Sequence, residues 1–247
     1  MSLLNTKGTV LCVFAHPDDE VFRCGGTLTL LAQAGARVQV LSFTAGQAGS
    51  CGAPPLCTPE NLASVRTQEL NCSCKTLGIE TPIVLGYPDG GLKDIPEEEG
   101  IEVLQDWVQR IQPQSIITWP LDGFSGHADH CAVGRWATRV FIKSKEGSDT
   151  SLKSLYYLTV PCSVSEALGM KELHAVPDYA VSEAINIAEV WERKIAAIHC
   201  HKTQISETPI LQRTIEEQRL FLGIEHFVIA ESGSSADLLG VLNEKHF

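Results

Sequence analysis

An imidazole and two carboxylates fall within four residues at His16, Asp18 and Asp19, and a second group, His127, Asp129 and His130, recurs far along the chain. His16 and Asp19, three apart in a turn, can point at one ion, and His130 can complete a facial set. Three N/O protein ligands with a fourth position left to water describe a catalytic zinc, whereas a structural zinc is closed by four. Zinc lowers the pKa of its bound water from about 15.7 to about 7, which makes hydroxide available at neutral pH. Asp18, next to Asp19 and not needed as a ligand, is then the natural general base. Either group alone reads equally well as turn and cap chemistry. Together they point to one site, provided the fold brings both to the same edge.

The elements that must position them are legible from the apolar pattern. Residues 10–15 form an unbroken apolar run that ends at His16-Pro17, as expected for a strand buried on both faces of a parallel sheet. Residues 20–34 suit a helix stopped by Gly35, with Gly25 and Gly26 implying close packing inside it. A second strand spans 38–43 and opens into a long glycine-rich loop at 44–58 that lacks the GxxxxGK[ST] and GxGxxG patterns of nucleotide sites. Thr58-Pro59 starts a helix running to Gly78, on which Arg66 and Glu69, three apart, read as an exposed ion pair. Residues 82–85 make a third strand, with the turn-rich exit 86–91 carrying Asp89.

Pro96 opens a helix that places Ile101, Leu104, Trp107, Val108 and Ile111 in the core, and Pro113 closes it. A fourth strand at 115–119 leads into the second chemical group, after which 131–142 is helical. Further strands are expected at 155–160 and 227–230, with a helix near 183–201. Four strand-then-helix units in succession predict an α/β fold, a Rossmann-like, mostly parallel sheet flanked by helices on both faces, in a single domain over 1–247. In such sheets ligands bind just beyond the carboxyl ends of the strands, where both chemical groups fall.

Composition narrows the partners. The 247 residues carry a formal net charge of −11, which disfavours nucleic acid and anionic membrane surfaces. No apolar stretch approaches the roughly 20 residues that span a bilayer. Lys7 precedes only a short apolar run without a cleavage signal, so a cytoplasmic, reducing compartment is expected. Of the nine cysteines, Cys12, Cys72 and Cys131 read as small hydrophobes. The Cys51/Cys57 and Cys72/Cys74 spacings do not form paired zinc motifs, and most thiols are expected free.

Ala15-His-Pro-Asp-Asp-Glu20 and Gly126-His-Ala-Asp-His130 resemble the two signature motifs of the LmbE/PIG-L-like zinc deacetylases, with Ala128 where that family usually has proline. Arg66 with Glu69, Tyr87-Pro-Asp89-Gly90, Lys194, His201, Gln204, Glu225 and Phe227 look like weaker landmarks of the same family. The resemblance implies one Zn2+ per chain on His16, Asp19 and His130, with Asp18 as base. It further implies that His127 stabilises an oxyanion or helps protonate the amine, that Asp129 orients a histidine, and that Arg66 and Asp89 face substrate. The implied substrate is a small N-acetylated sugar conjugate, and the implied assembly a homo-oligomer, trimeric or hexameric. Two alternatives share the fold: a metal-dependent hydratase of an unsaturated dicarboxylic acid, and an inactive metal-binding module.

Overall fold

The computed structural model describes residues 2–146 and 151–230. In chain order its strands are β1 (Thr9–Phe14), β2 (Arg37–Thr44), β3 (Ile83–Tyr87), β4 (Ser115–Thr118), β5 (Ser154–Thr159), β6 (Glu183–Asn186) and β7 (Ile224–Ile229). The helices are α1 (Asp19–Phe22), α2 (Gly25–Gln33), α3 (Pro59–Leu77), α4 (Glu97–Ile111), α5 (Gly123–Gly126), α6 (Ala128–Glu146), α7 (Cys162–Leu168), α8 (Trp191–Ile198), α9 (Lys202–Ile205) and α10 (Ile215–Leu222).

The seven strands form one sheet in the order β3-β2-β1-β4-β5-β7-β6. The pairs from β3 through β5 are parallel, while β7 runs antiparallel to both β5 and β6. β1 is therefore central, with Val10 registered against Val38 on one side and Ser115 on the other. Its apolar run serves two cores at once. Val10, Cys12 and Phe14 face Leu28 and Leu31 of α2, Leu70 and Leu77 of α3, and Ile198 of α8. Leu11 and Val13 belong to the opposite core, with Leu104 and Val108 of α4 and Trp136 and Val140 of α6. Alternate side chains of an extended strand point to opposite faces, so a doubly covered strand must be apolar throughout.

The chain progresses outward from β1 to β2 and β3, then returns past β1 to β4. That reversal makes the crevice between β1 and β4 the topological switch point, where ligand sites of such sheets lie. His16 follows β1, Asp89 follows β3 and His127 to His130 follow β4, all at carboxyl ends.

Several local expectations change. The helix expected over 20–34 is two, α1 and α2, broken at Arg23-Cys24. Gly26 is required by packing, because a Cβ there would sit 2.5 Å from Ile187 Cβ. The 183–201 segment begins as strand β6, captured by pairing with β7, and becomes α-helical only at Trp191. Trp107 is half-buried at the edge of its core, with the Arg110 guanidinium 5.2 Å from the ring centre. Cys72 is no packed hydrophobe: it is exposed and disulfide-bonded to Cys200, and no second disulfide forms among the described residues. No helix among the described residues is long and apolar enough to cross a membrane.

Candidate metal centre

Pro17 ends β1 in a turn, and Asp18 follows with φ 99° and ψ −21°, a left-handed conformation that costs a non-glycine residue on the order of 1–3 kcal/mol. The turn lets the next residue, Asp19, fold its carboxylate back over the strand end. Asp19 Oδ2 accepts from the backbone N–H groups of Ala15 and His16 and from Trp119 Nε1, each at 3.0 Å. Oδ1 faces His130 Nε2 at 3.3 Å. One oxygen is thus used up by three donors, and the other is left for a cation. Burial alone would raise the Asp19 carboxyl, but His130, His16 and the Trp119 N–H outweigh it and hold it well below the usual carboxylate range.

The two histidines are oriented from behind. His130 Nδ1 is 3.3 Å from the Gly123 carbonyl, which favours the proton there and leaves Nε2 facing Asp19 with its lone pair, and its ring stacks on Trp119 at 4.2 Å. His16 Nε2 lies 3.0 Å from Asp89 Oδ1 and 3.3 Å from Asp129 Oδ2. Asp129 is wholly buried and is itself fixed by the N–H groups of Gly90, at 2.8 Å, and Leu92, at 3.0 Å. Carboxylates behind an imidazole are the usual support of a metal-binding histidine, leaving Nδ1 of His16 to face Asp19, 4.0 Å from Oδ2. Burial opposes a charged His16, yet the Asp129 and Asp89 carboxylates prevail and raise it to about 10.

Among the described residues two groupings have ligand atoms all within 4.8 Å of one another, His16 with His127 and His130, and His16 with Asp89 and Asp129; the expected set of His16, Asp19 and His130 does not close to that spacing, although Asp19 Oδ1 is 3.3 Å from His130 Nε2. In the second, Asp129 already serves two backbone donors and the shared atom is the rear nitrogen of His16, so it reads as the support of the site. His127 is exposed at the mouth, its ring 4.9 Å from His16 and 4.5 Å from His130. Burial and the neighbouring His130 and His16 lower its pKa, which favours the neutral ring. The donor chemistry, imidazoles and carboxylates converging with oxygens and nitrogens unspent, fits a divalent metal.

Asp18 stands beside this set, not within it. Arg66 from α3 reaches it, NH2 donating to Asp18 Oδ2 at 3.0 Å and to the Pro17 carbonyl, and NH1 to the Gly46 carbonyl at 2.8 Å. A Cβ at Gly46 or Gly49 would run into Arg66 NH1, at 2.2 and 2.6 Å, so these glycines let the loop close over the guanidinium. Burial pushes the Asp18 carboxyl up to about 6, against the lowering effect of Arg66 and with the repulsion of Asp19. The expected exposed Arg66–Glu69 pair does not form. Both are buried, and Glu69 instead accepts from the Thr203 N–H and hydroxyl. His16, Asp18, Asp19, Arg66, Asp89, His127 and His130, with Ala48, Gly49, Gly90 and Gln204, line a cavity of about 370 Å3. A larger open depression, about 520 Å3, runs along β6 and holds no comparable constellation.

Residues 11–141, which include both motifs, match the family described as PIG-L, GlcNAc-PI de-N-acetylase. The chain belongs to the PIG-L family. Among its relatives is a 1D-myo-inositol 2-acetamido-2-deoxy-alpha-D-glucopyranoside deacetylase of Acidothermus cellulolyticus, 27% identical, with 90% of this chain and 88% of that protein covered. A probable N-acetyl-alpha-D-glucosaminyl L-malate deacetylase 2 of Bacillus cereus is 28% identical over 79% of this chain and 83% of that protein. The structure of N,N'-diacetylchitobiose deacetylase from Pyrococcus horikoshii superposes with a TM-score of 0.68 at 22% identity, covering 91% of this chain and 84% of that one, and so shares its fold.

The remaining PIG-L landmarks divide by location. Lys194 and Glu225 form a fully buried ion pair at 2.7 Å, and Glu225 also accepts the Gly26 and Thr27 N–H groups at the start of α2, a structural arrangement. Gln204 reaches the cavity, and His201 binds Glu20. Three residues that no motif marks also support the site: Trp119, Leu92, and Ser73, whose hydroxyl donates to Glu20. Only Trp119 carried a signal, as the aromatic terminus of the strand that delivers the second motif.

Proposed function

We propose that the chain is a zinc-dependent hydrolase that removes the acetyl group from an N-acetylglucosamine-type amide, one metal ion being held by His16, Asp19 and His130 in a single cytoplasmic catalytic domain. When bound, the divalent cation supplies Lewis acidity, polarising the amide carbonyl and acidifying the attacking water. The observation that carries the reading is Asp18: a carboxylate beside the donor set but spared from it, anchored by Arg66, with a pKa of about 6 that suits proton transfer near neutrality.

Asp18 takes the proton from the water as its oxygen attacks the acetyl carbon. His127, which lines the same cavity, offers an N–H to the oxyanion, and its lowered pKa favours this role over that of an imidazolium acid. The C–N bond then breaks, and Asp18 returns its proton to the departing amine, leaving acetate. Asp129 keeps His16 in register throughout. Arg66 and Asp89 line the cavity with Gly49 and Gln204, which supports contacts from this wall to sugar hydroxyls. A cavity of about 370 Å3 lies at the small end of ligand sites, roughly 300–1,000 Å3, and suits one sugar ring with its aglycone outside.

A screen of metal-loaded protein for amine release from N-acetylated sugars, including inositol and malate conjugates of N-acetylglucosamine, tests the activity. Absorbance loss from an unsaturated dicarboxylic acid without amine release would favour the hydratase alternative. His127→Ala is expected to cut kcat by about 10²–10³-fold, the usual loss for an oxyanion donor, while retaining stoichiometric metal. Loss of metal in that variant would make His127 a ligand.

A further inference from the structure

Asp18 is held from a second direction that the reaction itself does not explain. Its backbone N–H donates to Glu20 Oε2 at 2.9 Å, which helps keep the left-handed turn closed. Glu20 Oε1 in turn accepts from Ser73 Oγ at 2.5 Å and lies 2.7 Å from His201 Nε2. All three residues of this clamp are fully buried. His201 Nδ1 is also buried and has no hydrogen-bond partner among the described residues, so the Glu20 contact is what orients the ring.

The two arms of the clamp come from distant parts of the chain, Ser73 from α3 and His201 from the turn after α8. The residue immediately before each arm is a cysteine, and the two are joined: Cys72 to Cys200, across a sequence separation of 128, with Cα atoms 5.7 Å apart. The bridge therefore fastens the segments that grip Glu20 at one residue's remove from the grip itself. Cys72 is exposed and Cys200 is buried, with Thr76 Oγ1 3.5 Å from Cys200 Sγ. Cys72 is thus the solvent-side partner of the bridge, and the Thr76 hydroxyl beside Cys200 is held by the Cys72 carbonyl at 2.9 Å.

We propose that the Cys72–Cys200 disulfide is a redox-sensitive modification site that braces the Ser73–Glu20–His201 clamp and so sets the position of Asp18, an inference whose catalytic consequence rests on the deacetylase reading. Opening follows thiol–disulfide exchange with a dithiol reductant. A thiolate attacks Cys72 Sγ, the S–S bond breaks, and the electron pair leaves on Cys200 Sγ, which then takes a proton from solvent. The reductant's second thiolate then attacks its own sulfur bound to Cys72. Cys72 is released, the reductant leaves as a disulfide, and two electrons and two protons have passed to the protein. With the bridge open, α3 and the segment after α8 are still joined by packing, by Glu20 and by the Glu69 hydrogen bonds to Thr203, but the covalent tie next to Ser73 and His201 is gone and the left-handed Asp18 loses constraint. Glu20, Ser73 and His201 are positioning residues: they act through Asp18, so loosening them lowers kcat and leaves KM little changed.

The test compares the full chain before and after reduction by a water-soluble phosphine, removed before metal loading so that it cannot strip the ion. Alkylation followed by mass spectrometry is expected to find Cys72 and Cys200 protected before reduction and labelled after it. Amide hydrogen exchange in the peptide spanning residues 16–20 is expected to accelerate at least severalfold on reduction, and kcat to fall about tenfold, a loss typical of a small misplacement of a reacting group. The double variant Cys72→Ala with Cys200→Ala should match the reduced protein and ignore the phosphine. Ser73→Ala, with the bridge intact, should lower kcat at unchanged KM. Labelling of both cysteines before reduction, or unchanged exchange at 16–20 once opening is verified, would overturn the proposal. Faster exchange with no amine release in either state would support the brace and sink the deacetylase reading instead.

Discussion

Asp129→Asn tests the support of the metal centre most directly. Asp129 Oδ2 accepts from Gly90 N–H and contacts His16 Nε2, while Oδ1 accepts from Leu92 N–H. An asparagine has only one acceptor oxygen. With that oxygen toward Gly90 and His16, its NH2 opposes the Leu92 N–H; flipped, it opposes both Gly90 and His16. Either way a buried donor is left unpaired, which costs about 1–3 kcal/mol of stability. His16 also loses a charged partner, and loss of such support typically lowers metal affinity 10–100-fold, or about 1.4–2.7 kcal/mol. Asp89, still 3.0 Å from the same nitrogen, keeps the loss from being total. Asp89→Asn should cost less metal affinity and more KM, because among the described residues Asp89 is tied to the backbone only through the Ala48 N–H, and it stands on the cavity wall. The double variant should lose more than the sum, since each carboxylate covers for the other. Competition against a chromophoric chelator reads the affinity, and urea titration reads the stability. Asp129→Asn binding zinc within twofold of the parent, or Asp89→Asn showing the larger loss, would refute the assignment of Asp129 as the principal support.

The pH profile should report Asp18. Its carboxyl is raised from 3.8 to about 6 and must be ionised to act, so kcat/KM should be full above that value and fall tenfold per pH unit below it; a bound cation would draw the limb lower. Arg66→Gln removes the charge that opposes the rise, so the acid limb should move upward, and a limb that stays put would show that Arg66 does not govern Asp18. Gly26→Ala forces a Cβ to within 2.5 Å of Ile187 and should destabilise the fold by about 1–3 kcal/mol in urea, with metal affinity unchanged.

The parallel half of the fold was legible because its signals are local. An apolar run such as 10–15 can be satisfied only between two covered faces, and glycine or proline marks most of the boundaries around it. The later third was less legible. Glu183–Asn186 is a short, half-polar segment whose state is decided by β7, a strand that arrives long after it. Trp107 carried the helical spacing of a core residue yet sits where α4 leaves the core, because spacing gives a face and not its depth. The Arg66–Glu69 expectation failed for the same reason: a three-residue interval on a helix says that two groups are neighbours, but not that a loop and a distant turn will each claim one of them.

What the sequence determined by itself was the chemistry: two histidine–carboxylate motifs, each at the end of a strand, with the residue types of an open metal site and a spare carboxylate beside it. Those properties reside in side chains and their immediate spacing. What the tertiary structure decided was which atom does what. Asp129 and Asp89 meet on one nitrogen of His16, Trp119 donates to one oxygen of Asp19, Arg66 takes hold of Asp18, and Cys72 finds Cys200. Each of these joins residues far apart in the chain, and such partners are selected by the sheet order and helix packing, which no local spacing encodes.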